Sequence, residues 1–374
     1  MESLKLVSWN IEQSDQLLGP DHSPLATEPY SARLAAIREE IAELDADVLA
    51  VTEGPKGEQR ALSFFRSVAP NYDLVVRGTD DPHAYGISGT QWIWLLLRKG
   101  RGLSGSLQHL DRWRELTEPG WGEQWRAPGW EVSYPIFDVE AKSLHFKITD
   151  KHRHYRHPQV LGLQVTLPDG SHWHCEIIAC HLKSKINKVH PKGDPYAADF
   201  FDAQPALVAD VMTSRIKLTT EATDIRHYIE ARFAAEPDAP IIVVGDLNDG
   251  PGKERIEQRF MYHDLLSNLQ GDVFLARQFL NHALFDFDDG ARWSYDLGRD
   301  KLDPGRSPRI LLDHILFTQS LSGRNRAGAA AFRARPSGGL VEHDVHHRVA
   351  ARRARSAQTS DHRPVSMVFD LRTS

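Results

Sequence analysis

The sequence has few cysteines and no excess of positive charge. Cys175 and Cys180 are its only cysteines among 374 residues. Their odd separation within one predicted strand turns the two side chains to opposite faces, so we expect no disulfide between them, which favours a reducing compartment. The formal net charge of −6 excludes a protein that is basic overall, so any surface for nucleic acid has to be local.

Long apolar runs are also absent. The longest, at residues 92–97, is far too short to cross a membrane, and the opening MESLKLVSWN lacks the charged and then apolar layout of a signal peptide. We therefore expect a cytoplasmic protein without a membrane segment. Because no Pro/Ser-rich linker divides the chain, we also expect a single domain over residues 1–374, with insertions at about 100–157 and 320–358.

The most informative stretch is PIIVVGDLNDGPG at residues 240–252. It predicts a short buried strand that ends on Asp246 and Asn248, whose side chains share one face of the extended backbone. Elsewhere the patterns predict a strand buried on both faces at residues 92–97, a helix over 253–269 and a single strand over 309–318. The Asp246 carboxylate offers the hard oxygens that Mg²⁺ prefers, and Asn248 can donate a hydrogen bond to a phosphate oxygen. Gly, Asp and Asn also collect at ordinary strand-to-turn junctions, so this stretch alone leaves both interpretations open.

Other predicted strands end in the same way, on Asn10, Glu53, His181 and the pair Asp361–His362. Each residue alone has an ordinary structural explanation, such as a turn former, a helix cap or a satisfied core histidine. That explanation would have to hold independently at every strand end. The repeated pattern therefore favours one functional site at the ends of the strands.

Six motifs in order resemble the endonuclease/exonuclease/phosphatase superfamily, which includes deoxyribonuclease I, exonuclease III, neutral sphingomyelinases and inositol polyphosphate phosphatases. They are SWNIE at 8–12, TEG at 52–54, HLKSK at 181–185, GDLND at 245–249, LLDHILF at 311–317 and SDHRP at 360–364. The resemblance, which spans nearly the whole chain, implies an α+β fold. The implied fold would be a four-layer α/β/β/α sandwich of two packed mixed β-sheets flanked by helices, with the site at one end of the sheets.

The resemblance also implies roles for the motif residues. Three would lie on the metal side, namely Asn10, Glu53 and Asp361. Five would be catalytic, namely His181, Asp246, Asn248, Asp313 and His362. The implied cofactor is Mg²⁺, or Mn²⁺ in its place, and Asp313 would orient His362. One departure concerns His181, since Gln91 stands where deoxyribonuclease I has a glutamate behind its first histidine, which leaves the protonation of His181 open.

The substrate is less well defined. Lys183 and Lys185 follow His181, and together with Asn248 and the run KHRHYRH at 151–157 they could form a basic rim for a nucleic-acid backbone. Lysines after a strand can equally be a solvated turn. The first hypothesis is a Mg²⁺-dependent nuclease that cleaves DNA or RNA. The second is a phosphodiesterase or phosphatase for a small phosphorylated metabolite or lipid headgroup, and the third is a binding protein without catalysis.

Overall fold

The computed structural model describes residues 2–117, 129–252, 254–260, 264–322, 331–354 and 357–372. The strands are β1 (Ser3–Asn10), β2 (Val48–Gly54), β3 (Tyr72–Leu74), β4 (Trp92–Arg98), β5 (Leu103–Leu107), β6 (Trp130–Asp138), β7 (Ser143–His152), β8 (Gln159–Thr166), β9 (His172–His181), β10 (Ile241–Asp246), β11 (Asn281–His282), β12 (Tyr295–Asp296), β13 (Arg309–Ile310), β14 (Asp313–Phe317), β15 (Phe332–Val341) and β16 (Val365–Leu371). The helices are α1 (Tyr30–Leu44), α2 (Glu58–Val68), α3 (Pro82–Tyr85), α4 (Leu110–Thr117), α5 (Pro205–Ala235), α6 (Arg255–Arg259), α7 (Leu265–Gln270) and α8 (His343–Ala351).

Most of these strands form two six-stranded sheets. Sheet 1 has the order β15-β16-β1-β2-β4-β3, and sheet 2 has the order β11-β14-β10-β9-β8-β5. Each sheet is mixed, because β1 pairs in parallel with β2, and β9 with β10, while the other pairings within the sheets are antiparallel. The parallel pairs bring strand ends that are far apart in sequence to the same edge.

The two sheets pack face to face over a shared apolar core. In β4 the alternate residues Ile93 and Leu95 enter this core, whereas Trp94 enters a second core on the outer side of sheet 1. This is the strand that the sequence predicted to be buried on both faces. Cys175 faces the core between the sheets and Cys180 the outer core of sheet 2, and both are free thiols, as the odd spacing predicted.

Helices cover the outer faces and complete the four layers. In α1 the positions with helical spacing, Leu34, Ile37 and Ile41, are buried against the outer face of sheet 1. On sheet 2 the long helix α5 does the same with Leu218 and Ile225. The predicted fold class, two mixed sheets packed together and flanked by helices, is therefore confirmed.

Two predicted elements differ in detail. A single strand was expected over residues 309–318, but the chain forms β13, which pairs with β12, and then β14 in sheet 2. The chain is interrupted there because the Ser294 hydroxyl accepts bonds from the N–H groups of Leu312 and Asp313. The helix expected over residues 253–269 is likewise two short helices, α6 and α7.

The two stretches expected as insertions contain regular structure. Residues 100–157 supply the edge strand β5 of sheet 2, helix α4 and the two-stranded hairpin β6–β7, which packs on α5. Two of the four tryptophans in that stretch, Trp121 and Trp125, lie outside the described residues. Residues 320–358 supply β15, which pairs with β16, and α8, which packs on α1. Within the described ranges no helix is both long and apolar enough to cross a membrane.

Candidate active site

Polar side chains from both sheets meet at one edge of the sandwich. In sheet 2, Asp246 pairs in register with His181 on one neighbouring strand and with Asp313 on the other. In sheet 1, Asn10 ends β1 opposite Thr52 of β2, one residue before Glu53. Residues 42 to 67 positions apart in sequence therefore become neighbours through strand register alone.

The close approach of β9 to β10 depends on a glycine. Gly245 has a φ of 136°, and a Cβ at this position would lie 1.9 Å from the Cys180 carbonyl oxygen. Any side chain here would push the strands apart or twist β10, because the nearest atoms all belong to the Cys180 backbone. Gly245 thus fixes the position of Asp246 beside His181.

Two site residues, Glu53 and Asn248, adopt the left-handed conformation that is unusual for residues with a side chain, with φ of 56° and 52°. Glu53 lies in a register shift between β2 and β4, which redirects a side chain out of the regular alternation. The Ser14 hydroxyl donates to the Glu53 carbonyl (2.7 Å), and the Gln13 N–H donates to its carboxylate (3.0 Å). These bonds hold the Glu53 backbone and carboxylate in place.

Asn10 joins the two sheets. Its side-chain NH₂ donates to Asp246 Oδ2 at 3.0 Å and to Glu53 Oε1 at 3.3 Å. Its Oδ1 is buried and has no hydrogen-bond partner within the described residues. A buried amide oxygen without a hydrogen-bond donor costs free energy of folding unless another group interacts with it, and a bound cation is one such group.

His362 and Asp313 form a buried pair. The His362 Nδ1 lies 2.7 Å from Asp313 Oδ2. Burial alone would lower the pKa of His362, but the Asp313 carboxylate overrides this effect and raises the pKa to about 10, so the imidazole is protonated near neutral pH. Since Nδ1 is engaged with Asp313, the Nε2–H is the donor left for a substrate.

The second histidine is in the opposite state. His181 Nε2 lies 3.7 Å from Asp246 Oδ2, but burial lowers the pKa of His181 well below its ordinary value and the guanidinium of Arg156 lowers it further. Arg156 is itself buried, and it donates from Nε to the His181 carbonyl at 3.0 Å. Another of its nitrogens donates to the Leu182 carbonyl at 2.8 Å. His181 is therefore a neutral imidazole, held through its backbone by a cation.

The Gln91 departure is explained by this arginine. Gln91 Oε1 accepts a hydrogen bond from Arg156 at 2.8 Å, so the uncharged amide that replaces the glutamate of deoxyribonuclease I is the partner of the arginine that holds the His181 backbone. Sequence reasoning placed Arg156 in a surface run and missed it. The available signal was the uncharged Gln91, which a buried arginine can accept as a partner without forming an ion pair.

Asn248 completes the inner part of the site. Its backbone N–H donates to Asp246 Oδ1 at 2.8 Å, and its side-chain NH₂ donates to the Leu182 carbonyl at 2.9 Å. Burial raises the pKa of the Asp246 carboxyl above its ordinary value, against the lowering effect of the His362 charge. A carboxylate with a raised pKa is a better proton acceptor near neutral pH.

The outer part of the site is acidic. Glu12 lies close to Asp361 and Glu53, and its pKa is raised, first by burial and then by the charge of Asp361. Asp361 is exposed. Arg33 compensates only partly, with an ion-pair distance of 3.7 Å to Glu12. Glu12 was part of the SWNIE motif but had not been assigned a role.

Two groups of side chains could hold a metal ion. Asp246, Asp313 and His362 offer atoms within 4.8 Å of one another. A protonated His362 bonded to Asp313 cannot be a ligand, however, and binding there would have to break that pair. The unpaired Asn10 Oδ1 and the carboxylate of Glu53, with the acidic rim around them, fit a hard divalent cation better because they supply oxygen donors only.

The predicted basic rim is weaker than expected. Lys185 forms ion pairs with three carboxylates, at 2.5 Å to Asp249, 2.7 Å to Glu257 and 3.4 Å to Glu254, so its charge is neutralised within the protein. Burial lowers the pKa of Lys183, whose side chain is half-buried. These contacts weigh against Lys185 as a substrate contact and leave Lys183 as the stronger candidate.

The 151–157 run also contributes less free charge than its sequence suggests. His152 and His154 each lie 3.0 Å from a carboxylate on α5, Glu221 and Asp224 respectively. Arg156 is buried behind His181 as described. The run therefore supports the inside of the site, and only its exposed members Lys151 and Arg153 remain for a rim.

No protein-family model matches the sequence, and no curated protein matches it. Solved structures with a similar fold include a truncated TDP2 of Caenorhabditis elegans, 13% identical over 98% of each chain with a TM-score of 0.48. The D. rerio TDP2 complexed with single strand DNA product is 15% identical over 98% of this chain and 99% of that chain, with a TM-score of 0.48. An endonuclease/exonuclease/phosphatase from Bacteroides vulgatus is 10% identical over 100% of both chains, with a TM-score of 0.47.

Proposed function

We propose that this protein is a divalent-metal-dependent phosphodiester hydrolase of the endonuclease/exonuclease/phosphatase type. The observation that supports it most is the row His181–Asp246–Asp313 across three strands, with His362 paired to Asp313 and Asn10 reaching Asp246 from the other sheet. The motif resemblance predicts the same grouping from the sequence. A protonated donor, a proton-accepting carboxylate and oxygen ligands for a cation are the parts that phosphodiester hydrolysis needs.

Each side chain takes one task in this proposal. Asn10 and Glu53, with Asp361 on the rim, would hold the ion, which when bound neutralises phosphate charge. Asp246 takes a proton from the attacking water as the water oxygen bonds to phosphorus. The bond from phosphorus to the leaving oxygen then breaks, and that oxygen takes a proton from solvent.

The remaining groups orient the phosphate. His362 donates from Nε2 to an oxygen that gains negative charge in the transition state. His181, being neutral, contributes a hydrogen bond without adding a charge that would compete with His362. Asn248 donates to the carbonyl of Leu182, the residue that follows His181. Lys183 is the proposed contact to the substrate backbone.

For the substrate we propose a nucleic acid, so that the enzyme is a nuclease acting on DNA or RNA. A second candidate is a small phosphorylated metabolite or lipid headgroup, hydrolysed by the same chemistry. The ion pairs of Lys185 favour this alternative, since they remove one cation from the expected rim. The two candidates differ in the number of phosphates that the protein has to contact.

The test is hydrolysis of bis(p-nitrophenyl) phosphate and of fluorescent DNA and RNA oligonucleotides by the purified protein with Mg²⁺ or Mn²⁺. We expect activity on the generic phosphodiester that EDTA abolishes and that added metal restores, together with cleavage of an oligonucleotide. Full activity in excess EDTA would contradict the metal-dependent proposal. Hydrolysis of the generic diester without cleavage of either polymer would favour the small-substrate candidate.

A further inference from the structure

Two arginines lie over one tryptophan beside the candidate active site. The guanidinium carbon of Arg309 is 4.7 Å from the centre of the Trp293 ring, and that of Arg363 is 5.0 Å away. Arg363 directly follows His362 in the chain. The side chain of Arg309 is 57% exposed, so this cationic and aromatic group can be reached from solvent.

The two charges are poorly compensated by the protein itself. Arg309 has one carboxylate nearby, Asp296, at the long distance of 3.6 Å. Arg363 forms no ion pair with any residue in the described ranges, and its side-chain contact there is with Trp293. Lys185, by contrast, is surrounded by three carboxylates. The carboxylates of Glu40, Asp296 and Asp361 act on Arg363 only from beyond ion-pair distance. Two neighbouring guanidinium groups without a short ion pair are an arrangement that an anionic ligand would stabilise.

This group is fixed firmly to the site. The Arg363 N–H donates to the Ser294 carbonyl at 2.7 Å, and Tyr295 forms an isolated bridge with His362. The Tyr295 ring lies 4.8 Å from the imidazole of His362, centre to centre. The Ser294 hydroxyl, in turn, accepts from the N–H of Asp313, the partner of His362. The segment 293–295 therefore ties the arginine pair to the catalytic pair.

We propose that Arg309 and Arg363, supported by Trp293, form a subsite for a second phosphate of the substrate, adjacent to the phosphate that reacts at His362. The planar guanidinium fork matches a phosphate, and the half-buried Tyr295 ring beside His362 offers a surface on which a base can stack. The subsite rests on the proposed hydrolase function and specifies it as action on an oligonucleotide. It lies apart from the Lys183–Lys185 turn in which the sequence suggested a basic rim.

The experiment compares kcat/KM on thymidine oligomers with one, two and seven internucleotide phosphates. In the unmodified protein we expect an increase of about tenfold or more between one and two phosphates, since charge-assisted hydrogen bonds reach this strength. Arg309→Gln and Arg363→Gln should each reduce that step. The exposed Arg309 provides a variant that tests the subsite even if Arg363→Gln impairs folding.

The matched control is Arg277→Gln, which removes the same charge from an exposed arginine. Arg277 pairs with Asp238, which lies just before β10, at the opposite end of that strand from Asp246. This variant should keep the full step. The subsite would be overturned if the increase in kcat/KM between one and two phosphates persisted in both Arg309→Gln and Arg363→Gln. It would also be overturned if the unmodified protein lacked this increase but still cleaved a long oligonucleotide. Either result would leave the hydrolase proposal intact.

A binding measurement tests the subsite independently of turnover. Fluorescence anisotropy of labelled octathymidylate, with Ca²⁺ in place of Mg²⁺, gives Kd at several salt concentrations. Each lost phosphate contact should flatten the log–log salt slope by about 0.7 on a single strand. We expect this change for Arg309→Gln and not for Arg277→Gln. Equal slopes in the two variants would contradict the subsite, whereas absence of metal-dependent hydrolysis of every diester would contradict the proposed function.

Discussion

The two halves of the candidate site, one at the edge of each sheet, are built in opposite ways. At the edge of sheet 1, Glu53 is half-buried, Asp361 is exposed and the buried Asn10 keeps an oxygen without a partner. At the edge of sheet 2, Asp246 and Asp313 are almost fully buried, as is His362, which reaches Asp313 from the loop before β16 of sheet 1. In the proposed mechanism the first half would hold the cation and the second half would transfer protons.

Asn10 connects these halves while belonging to the first. Its NH₂ group donates hydrogen bonds to both Glu53 and Asp246, which are carboxylates of different sheets. A metal ion bound to Asn10 Oδ1 would polarise the amide, and the amide NH₂ would then donate a stronger hydrogen bond to Asp246. The arrangement would keep the Asp246 carboxylate near a bound cation without making it a ligand.

The largest effect is expected at His362, because in the proposed mechanism its charge stabilises the transition state directly. His362→Ala should lower kcat on bis(p-nitrophenyl) phosphate by about 10²- to 10³-fold, the usual cost of removing such a donor. Asp313→Ala in the same chain should add little, since residues that act as one unit are not additive. The measurement is the double-mutant comparison of kcat. His347→Ala, an exposed histidine on α8, is the control, and additive losses would show that the pair does not act as a unit.

The next effect concerns the cation half. Glu53→Gln should lower activity at a fixed metal concentration by about 10- to 100-fold, because one charged oxygen ligand is lost. Raising Mn²⁺ should recover part of the activity. The measurement is kcat/KM as a function of metal concentration, with Asp73→Asn on β3 as a control for charge. A loss that no metal concentration changes would place Glu53 in the proton half.

A smaller effect is expected from Arg156, which acts through His181. Removing this cation should raise the pKa of His181, since the guanidinium lowers it in the protein. In the proposed mechanism the acidic limb of the pH–rate profile follows Asp246, whose pKa is raised, and the charge of Arg156 acts on this carboxyl as well as on His181. The limb should therefore move to higher pH in Arg156→Gln, and less in Arg156→Lys, which keeps the charge. The loss at the pH optimum should be about tenfold. An acidic limb that stays in place would mean that Arg156 only supports the backbone.

The smallest effect is expected for Lys185. Because its charge is already neutralised by three carboxylates, Lys185→Gln should leave the salt dependence of oligonucleotide binding unchanged. The substitution should instead lower the melting temperature, because the three half-buried carboxylates would lose the positive charge of Lys185. The measurements are anisotropy and thermal unfolding, with Lys183→Gln for comparison. A flatter salt slope for Lys185→Gln would restore the basic rim that the sequence suggested.

Strand ends were predictable from the sequence, and so was the fold class. Short apolar runs followed by Asp246 or Glu53 show where a strand stops, and the order of six motifs fixed the architecture. The pairing of His362 with Asp313 was expected from the resemblance, and the two side chains do lie in hydrogen-bond contact. Local patterns were sufficient because Glu53, Asp246 and Asp313 lie in the strands that position them and His362 lies three residues before β16.

Partners supplied by distant loops were not predictable. Arg156 follows a hairpin and reaches His181 only after folding, so its run of basic residues looked like surface. The pairing of Lys185 with Glu257 and the stacking of Arg363 on Trp293 likewise join segments 70 residues or more apart. Sequence spacing carries no information on such contacts, because the loops that make them have no fixed period.

The division into a cation half and a proton half is tested most directly by metal binding without catalysis. Isothermal titration calorimetry of Mn²⁺ into the unmodified protein, Glu53→Gln and Asp313→Asn separates the two groups of side chains that could hold an ion. We predict an affinity about 10- to 100-fold weaker for Glu53→Gln and an affinity close to that of the unmodified protein for Asp313→Asn. Loss of Mn²⁺ binding in Asp313→Asn with normal binding in Glu53→Gln would place the ion on Asp246, Asp313 and His362 and contradict the account.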